Sequence, residues 1–166
     1  MNQIGILLLA VILTGCESSD ENSHIIGSWK TDNCDQLTYS NNQLTNVWAK
    51  STYTIDSSGS IYSESTSYSD SNCITKSNNI TTTSRLVAIL SELGPVITSQ
   101  GIEANKVSIT FNSAPSPIVT TSGYYKITNN KLCLSQSFHF DAGGFGVSQT
   151  NDTRIDFSNC LTKLTP

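Results

Sequence analysis

From residue 24 onward apolar and polar residues alternate with a period of two, in short runs separated by clusters of Ser, Asn, Asp and Gly. That is the pattern of half-buried strands, not of amphipathic helices. Residues 24–30 open the series, with Ile25, Gly27 and Trp29 on one parity. Residues 51–55 place Tyr53 and Ile55 inward and Thr52 and Thr54 outward. They run through Asp56-Ser57-Ser58-Gly59 into 60–68, which predicts a hairpin with a Gly-containing loop of about four residues. Residues 60–68 have no apolar face: Ile61, Ser63, Ser65 and Ser67 lie on one side and Tyr62, Glu64, Thr66 and Tyr68 on the other, so either a polar cavity lies behind the strand or both faces meet water.

Residues 107–111 alternate, and 124–128 turn at Asn129-Asn130 into 131–138, a second hairpin that places Tyr125 and Ile127 inward. The last strand is 154–161. The stretch 81–93 stays open between strand and short helix: Leu86, Ile89, Leu90 and Leu93 fit helical spacing with Gly94-Pro95 as a stop, whereas Thr81 to Thr83 and Val87 favour a strand. Asp141-Ala142-Gly143-Gly144-Phe145-Gly146 reads as a mobile loop tip with one exposed aromatic, since it lacks the Lys and the strand-to-helix context of a phosphate-binding loop. About eight to ten short antiparallel strands predict a mainly β fold, a single antiparallel barrel or sandwich, because closure removes exposed edges.

Ahead of this domain, residues 4–13 form an uncharged apolar run. It is too short for a bilayer core of ~30 Å and has the length of a signal peptide's hydrophobic region. Residues 18–23 are wholly polar and read as a flexible tether. Charged residues are only 13 % of the chain, with a net charge of −4. Setting aside Glu17, Asp20 and Glu21 of the tether leaves ten acids against nine bases. A nearly neutral domain rules out a nucleic-acid binder led by a basic patch, and offers little long-range steering of a charged partner.

The tetrapeptide Leu13-Thr14-Gly15-Cys16 resembles the lipobox of bacterial lipoproteins. The resemblance implies that residues 1–15 are a cleaved lipoprotein signal peptide and that Cys16, lipidated on its thiol and new amino group, opens a tether over 16–23. The β domain then spans 24–166. Two or more acyl chains anchor a protein stably without a transmembrane helix, so the implied partner is a membrane. Glu17 in place of Asp after the cysteine implies the outer rather than the inner membrane. Residues 2 and 3 depart from the pattern in carrying no Lys or Arg.

Cys34, Cys73, Cys133 and Cys160 remain, an even set in an oxidising compartment with three pairings open to it. Strand parity sets Leu132, Leu134, Ile155, Phe157 and Leu161 on one face and Cys133 and Cys160 on the other, so these two are expected to meet across a ladder, leaving Cys34 for Cys73. No pair of Cys or His has the close spacing of zinc ligands.

Gly27-Ser28-Trp29 resembles the Gly-x-Trp signature of lipocalins and related calycin barrels, in which the Trp closes the barrel base beneath an Arg from near the chain end. The resemblance implies barrel closure by Gly27, Trp29 and Arg154, with a cation over the indole face. The larger pattern of Gly-Ser-Trp-Lys, Cys34, the Tyr68 to Cys73 segment and a late cysteine is similar to uncharacterised bacterial lipoproteins described as lipocalin-like. The second lipocalin motif, Thr-Asp-Tyr, has no counterpart here.

Catalytic motifs are missing from the sequence: there is no Gly-x-Ser-x-Gly elbow and no His-Glu-x-x-His helix. His24 lies beside the tether and His139 on the parity opposite Phe138 and Phe140, while Asp152 and Asp156 flank Arg154 as its charge partners. The expectation is a non-enzyme without a cofactor, beyond the covalent lipid. Two binding roles stay open. One is a small apolar or amphipathic ligand lined by Tyr53, Ile55, Tyr125 and Ile127. The other is an envelope protein-interaction module that presents Trp48, Tyr62, Tyr68 and Phe145, for example an inhibitor of a foreign hydrolase. Ser122-Gly123-Tyr124-Tyr125 resembles the Ser-Gly-x-x-Tyr element of small lysozyme-inhibiting barrels, with Lys126 at its final position.

Overall fold

The computed structural model describes residues 25–38, 44–81, 84–111, 119–136, 138–141, 144–147 and 154–165. The signal-peptide, lipid and tether expectations over 1–23 lie outside them. The strands are Gly27–Thr31 (β1), Asp35–Thr38 (β2), Leu44–Ile55 (β3), Ser60–Tyr68 (β4), Lys76–Thr81 (β5), Arg85–Ile97 (β6), Glu103–Phe111 (β7), Val119–Thr128 (β8), Lys131–Ser135 (β9), Phe138–Asp141 (β10), Gly144–Val147 (β11) and Ile155–Lys163 (β12). Eight of them, β1, β3, β4, β6, β7, β8, β9 and β12, close antiparallel and in chain order into a barrel. Closure pairs each backbone edge with a neighbour, as the short alternating runs require.

Two strands extend this wall beyond the barrel. The β1 strand pairs with β3 at Thr52–Ile55, and β2 takes the same edge at Leu44–Ala49. Likewise β6 pairs with β4 at Ser60–Ser63, and β5 takes that edge at Thr66–Tyr68. A four-strand flap, β2-β3-β4-β5, therefore rises from one end. The other end carries the start of β1 and the turns at Asp56–Gly59 and Asn129–Asn130. Asn129 and Asn130 both have positive φ, 49° and 60°, the mirror-image turn that suits a two-residue hairpin.

The inner face is apolar around Trp29, Tyr53, Ile61, Val107, Ile109, Tyr125, Leu132 and Leu161, all buried. The Ile61-Ser63-Ser67 face of β4 points inward too, so its hydroxyls are interior groups. Ser51 and Ser65 bond through their Oγ atoms at 2.8 Å, and the Ser51 amide donates to Thr31 Oγ1 at 3.0 Å, which satisfies polar atoms that burial would otherwise penalise. A smaller cluster of Ala104, Cys133, Ile155 and Cys160, with Tyr124, packs on the outer wall. The disulfides are Cys34–Cys73 and Cys133–Cys160, the pairing that parity predicts.

Four local expectations change. Of 81–93, Thr81 ends β5, 82–83 lie outside the described residues and 85–93 are strand within β6. Gly94-Pro95 does not end that strand, since both lie within β6, just past a bulge between Glu92 and Gly94, where Gly94 takes φ 98°. A bulge turns the strand while tolerating a proline. Ile155 leaves the parity of Leu161 because the β9–β12 register shifts between Ile155 and Cys160. Asp156 Oδ1 accepts from the Ser158 amide at 2.9 Å and holds that bulge, so Ile155 joins the outer cluster and Phe157 is exposed. The run 131–138 is not one strand, since β9 ends at Ser135 and Phe138 begins β10. Finally, within 141–146 the described residues are strand, not loop: Asp141 pairs with Gly144 and Phe140 with Phe145 in the β10–β11 hairpin, and 142–143 lie outside the described residues.

Candidate functional site

Trp29 closes the end at which the chain enters. Its Nε1 donates to the Ile25 carbonyl at 2.8 Å, giving the buried indole the partner it needs. The cation over its ring is Lys163, 5.3 Å from the centroid, not Arg154 as the resemblance implies. Arg154 precedes the opposite end of β12 and donates to Gln136 Oε1 at 3.2 Å. Antiparallel pairing explains the exchange, because the Trp29–Lys163 register brings the last strand's carboxyl end to the first strand's start.

Two clefts open at this same end. One, of about 460 Å³, is lined by Pro95, Ala104, Asn105, Tyr125, Ile127 and Asn130 among others. The second, of about 400 Å³, lies between Ile25–Ile26, the Asp56–Gly59 turn and Leu90–Glu92. That turn is pinned: Gly59 has φ 81°, the Leu90 amide donates to its carbonyl at 2.8 Å, and a β-carbon on it would meet Leu90 O at 2.1 Å. Tyr125 and Glu92 link the clefts, the phenol donating to the Glu92 carboxylate. Burial, then that carboxylate, pushes the Tyr125 pKa up. Of the four residues expected to line a ligand site, Tyr125 and Ile127 line the first cleft and Ile55 the second, while Tyr53 is sealed in the core.

Toward the other end, alongside Phe111, several interior residues are small: Ala49, Ser51, Ser63 and Gly123. Phe138 fills that space. It is buried in the main core, and its ring lies so close to Gly123 that a β-carbon there would meet Cε2 at 1.7 Å. A glycine inside a strand marks such close approaches, so Gly123 was the available sequence signal for this contact. Nothing in the sequence pattern marked Lys163 or Glu92.

On the outer wall, register sets Gln36, Trp48, Tyr68 and Lys76 in one row across β2, β3, β4 and β5. Trp48 and Tyr68 are half-buried cross-strand neighbours, an arrangement that aromatic pairs stabilise. The following turn is held by Asp70, whose carboxylate accepts from the amides of Asn72, Ile74 and Thr75 at 3.0, 3.2 and 2.6 Å. Those backbone bonds hold its carboxyl below the usual range. Cys73, with φ 53°, leaves this turn to bond Cys34. Tyr62 is half-buried on the same wall, whereas the side chains of His139 and Phe145 lie outside those described. Among the described residues, no three of His, Cys, Asp and Glu are grouped to hold a metal.

The closed eight-stranded antiparallel barrel is compatible with a lipocalin-like fold. No family model, no curated protein and no solved structure matches the chain.

Proposed function

We propose that this chain is a bacterial cell-envelope lipoprotein, anchored through lipid on Cys16 in the outer membrane, whose barrel is a non-enzymatic protein-interaction module. The filling of the barrel by Phe138 against Gly123 carries this reading, because it occupies the interior that a small apolar ligand would need. The Trp48–Tyr68 pair supplies a contact surface of the residue types favoured in interface anchors. A photo-crosslinker at Tyr68 on living cells tests it. A discrete protein adduct that excess purified protein competes away supports the reading, and a lipid or metabolite adduct alone contradicts it.

A second reading is a small amphipathic ligand, favoured by the cleft of about 460 Å³ with Pro95, Tyr125 and Ile127 on its walls, a size in the range of ligand sites. Enhanced emission of an apolar fluorophore by the purified protein, abolished by Ile127→Asp, would support it over the first. Stoichiometric slowing of lysozyme would specify the first reading as hydrolase inhibition.

A further inference from the structure

The end of the barrel at which the chain enters carries apolar side chains that the fold leaves uncovered. Ile26, Leu93 and Ile97 are 39 %, 55 % and 65 % exposed. Ile26 shares a cleft with Glu92, the neighbour of Leu93. Pro95 and Glu103 share the adjoining cleft, and Ile97 pairs with Glu103. The three residues therefore follow one another along a single rim. The bulge between Glu92 and Gly94 puts Leu93 outside the regular alternation of the wall.

The chain from Cys16 to Ile25 reaches at most roughly 30 Å when fully extended. An anchor at Cys16 therefore keeps this rim, where the chain enters the barrel, within that reach of the bilayer, whereas the β2–β5 flap at the other end has no such tether. We propose that the rim of Ile26, Leu93 and Ile97 rests on the lipid surface and fixes the barrel's orientation, with the Trp48–Tyr68 wall turned away from the membrane. The inference rests on the lipid-anchor reading above.

Charge does not drive this contact. Lys126, Lys131 and Lys163 lie at the same end, but so do Asp32, Asp56, Glu92 and Glu103; Lys131 pairs with Asp32 at 2.8 Å, Lys126 Nζ donates to the Glu103 carbonyl, and Glu92 accepts from Tyr125. The occupant is thus the interface of a zwitterionic bilayer, entered by apolar side chains, and the contact is insensitive to salt.

The test uses the lipidated protein from membranes, reconstituted in phosphatidylcholine vesicles with or without brominated acyl chains. Variants Leu93→Trp, Ile97→Trp and Thr120→Trp add one indole each to the native pair, Thr120 lying at the opposite end. The emission added at 93 and 97 is expected to fall about two-fold or more in brominated vesicles, at low and high salt, and that at 120 to stay unchanged. Unquenched emission at 93 and 97 in protein that floats with the vesicles overturns the docking and leaves the anchor standing. Failure to float overturns the anchor, and the docking with it.

Discussion

Phe138 stands against the α-carbon of Gly123 with no room for a methyl group between them: a β-carbon at 123 would sit 1.7 Å from Cε2 and 2.5 Å from Cζ of the ring. The hairpin that joins β9 to β12 thereby supplies core volume that the barrel's own strands lack.

Phe138→Ala should therefore lower stability by about 3–5 kcal/mol, the usual cost of deleting a buried phenyl ring. It should also open a space that takes up an apolar fluorophore the parent does not brighten. Gly123→Ala should destabilise too, but by displacing the ring. Urea unfolding separates both from the parent, and a parent-like midpoint for Phe138→Ala would show the ring to be dispensable.

At the closed end, Lys163→Ala should cost roughly 0.5–2 kcal/mol through loss of the cation over Trp29, and the tryptophan emission should change with it. Arg154→Ala, at the far end of the strand, should leave that emission unaltered. The reverse outcome would return the partner role to Arg154.

Much of this architecture is legible in alternation alone. The Ser60–Tyr68 strand, the turns at Asp56–Gly59 and Asn129–Asn130, and the shared parity of Cys133 and Cys160 all follow from a period of two and turn chemistry. What escapes are the places where the period breaks. A bulge at Glu92–Gly94 keeps a Pro inside β6, and another after Ile155 moves that side chain to the outer wall. Phe138 looks like a continuation of the strand before it, because inward parity is the same whether a residue lines a wall or enters as a plug. Trp29's cation depends on the register between the chain's two ends, which no local window contains.

A non-reduced peptide map should join Cys133 to Cys160 and Cys34 to Cys73. Removing the Cys133–Cys160 bridge should cost roughly 2–4 kcal/mol, the usual effect of a native disulfide, and a map linking Cys73 to Cys133 would contradict the fold.

The pH dependence has an acid and an alkaline limb. The Lys131 ammonium at 2.8 Å, with the Thr162 hydroxyl at 2.6 Å, holds the Asp32 carboxyl below the usual range. A depressed folded pKa adds stability above the unfolded carboxylate pKa that is lost as pH falls through the folded one. Asp32→Asn should flatten the acid limb of a stability profile. Tyr125 behaves in the opposite sense: burial and then Glu92 raise its pKa, so its contribution is full below the ordinary phenol pKa of about 10 and is lost as pH rises toward the folded value. Alkaline titration by ultraviolet absorbance should find that Tyr125 ionises above the range of an ordinary phenol, and Tyr125→Phe should reduce the amplitude of that late step.

The intact mass of the protein purified from membranes under native conditions bears most directly on a lipid-anchored barrel with a filled interior. The expected species begins at Cys16, carries a diacylglyceryl group and an N-acyl chain, and retains no small molecule in the barrel. A chain without lipid, or one that holds a stoichiometric small ligand through purification, would contradict it.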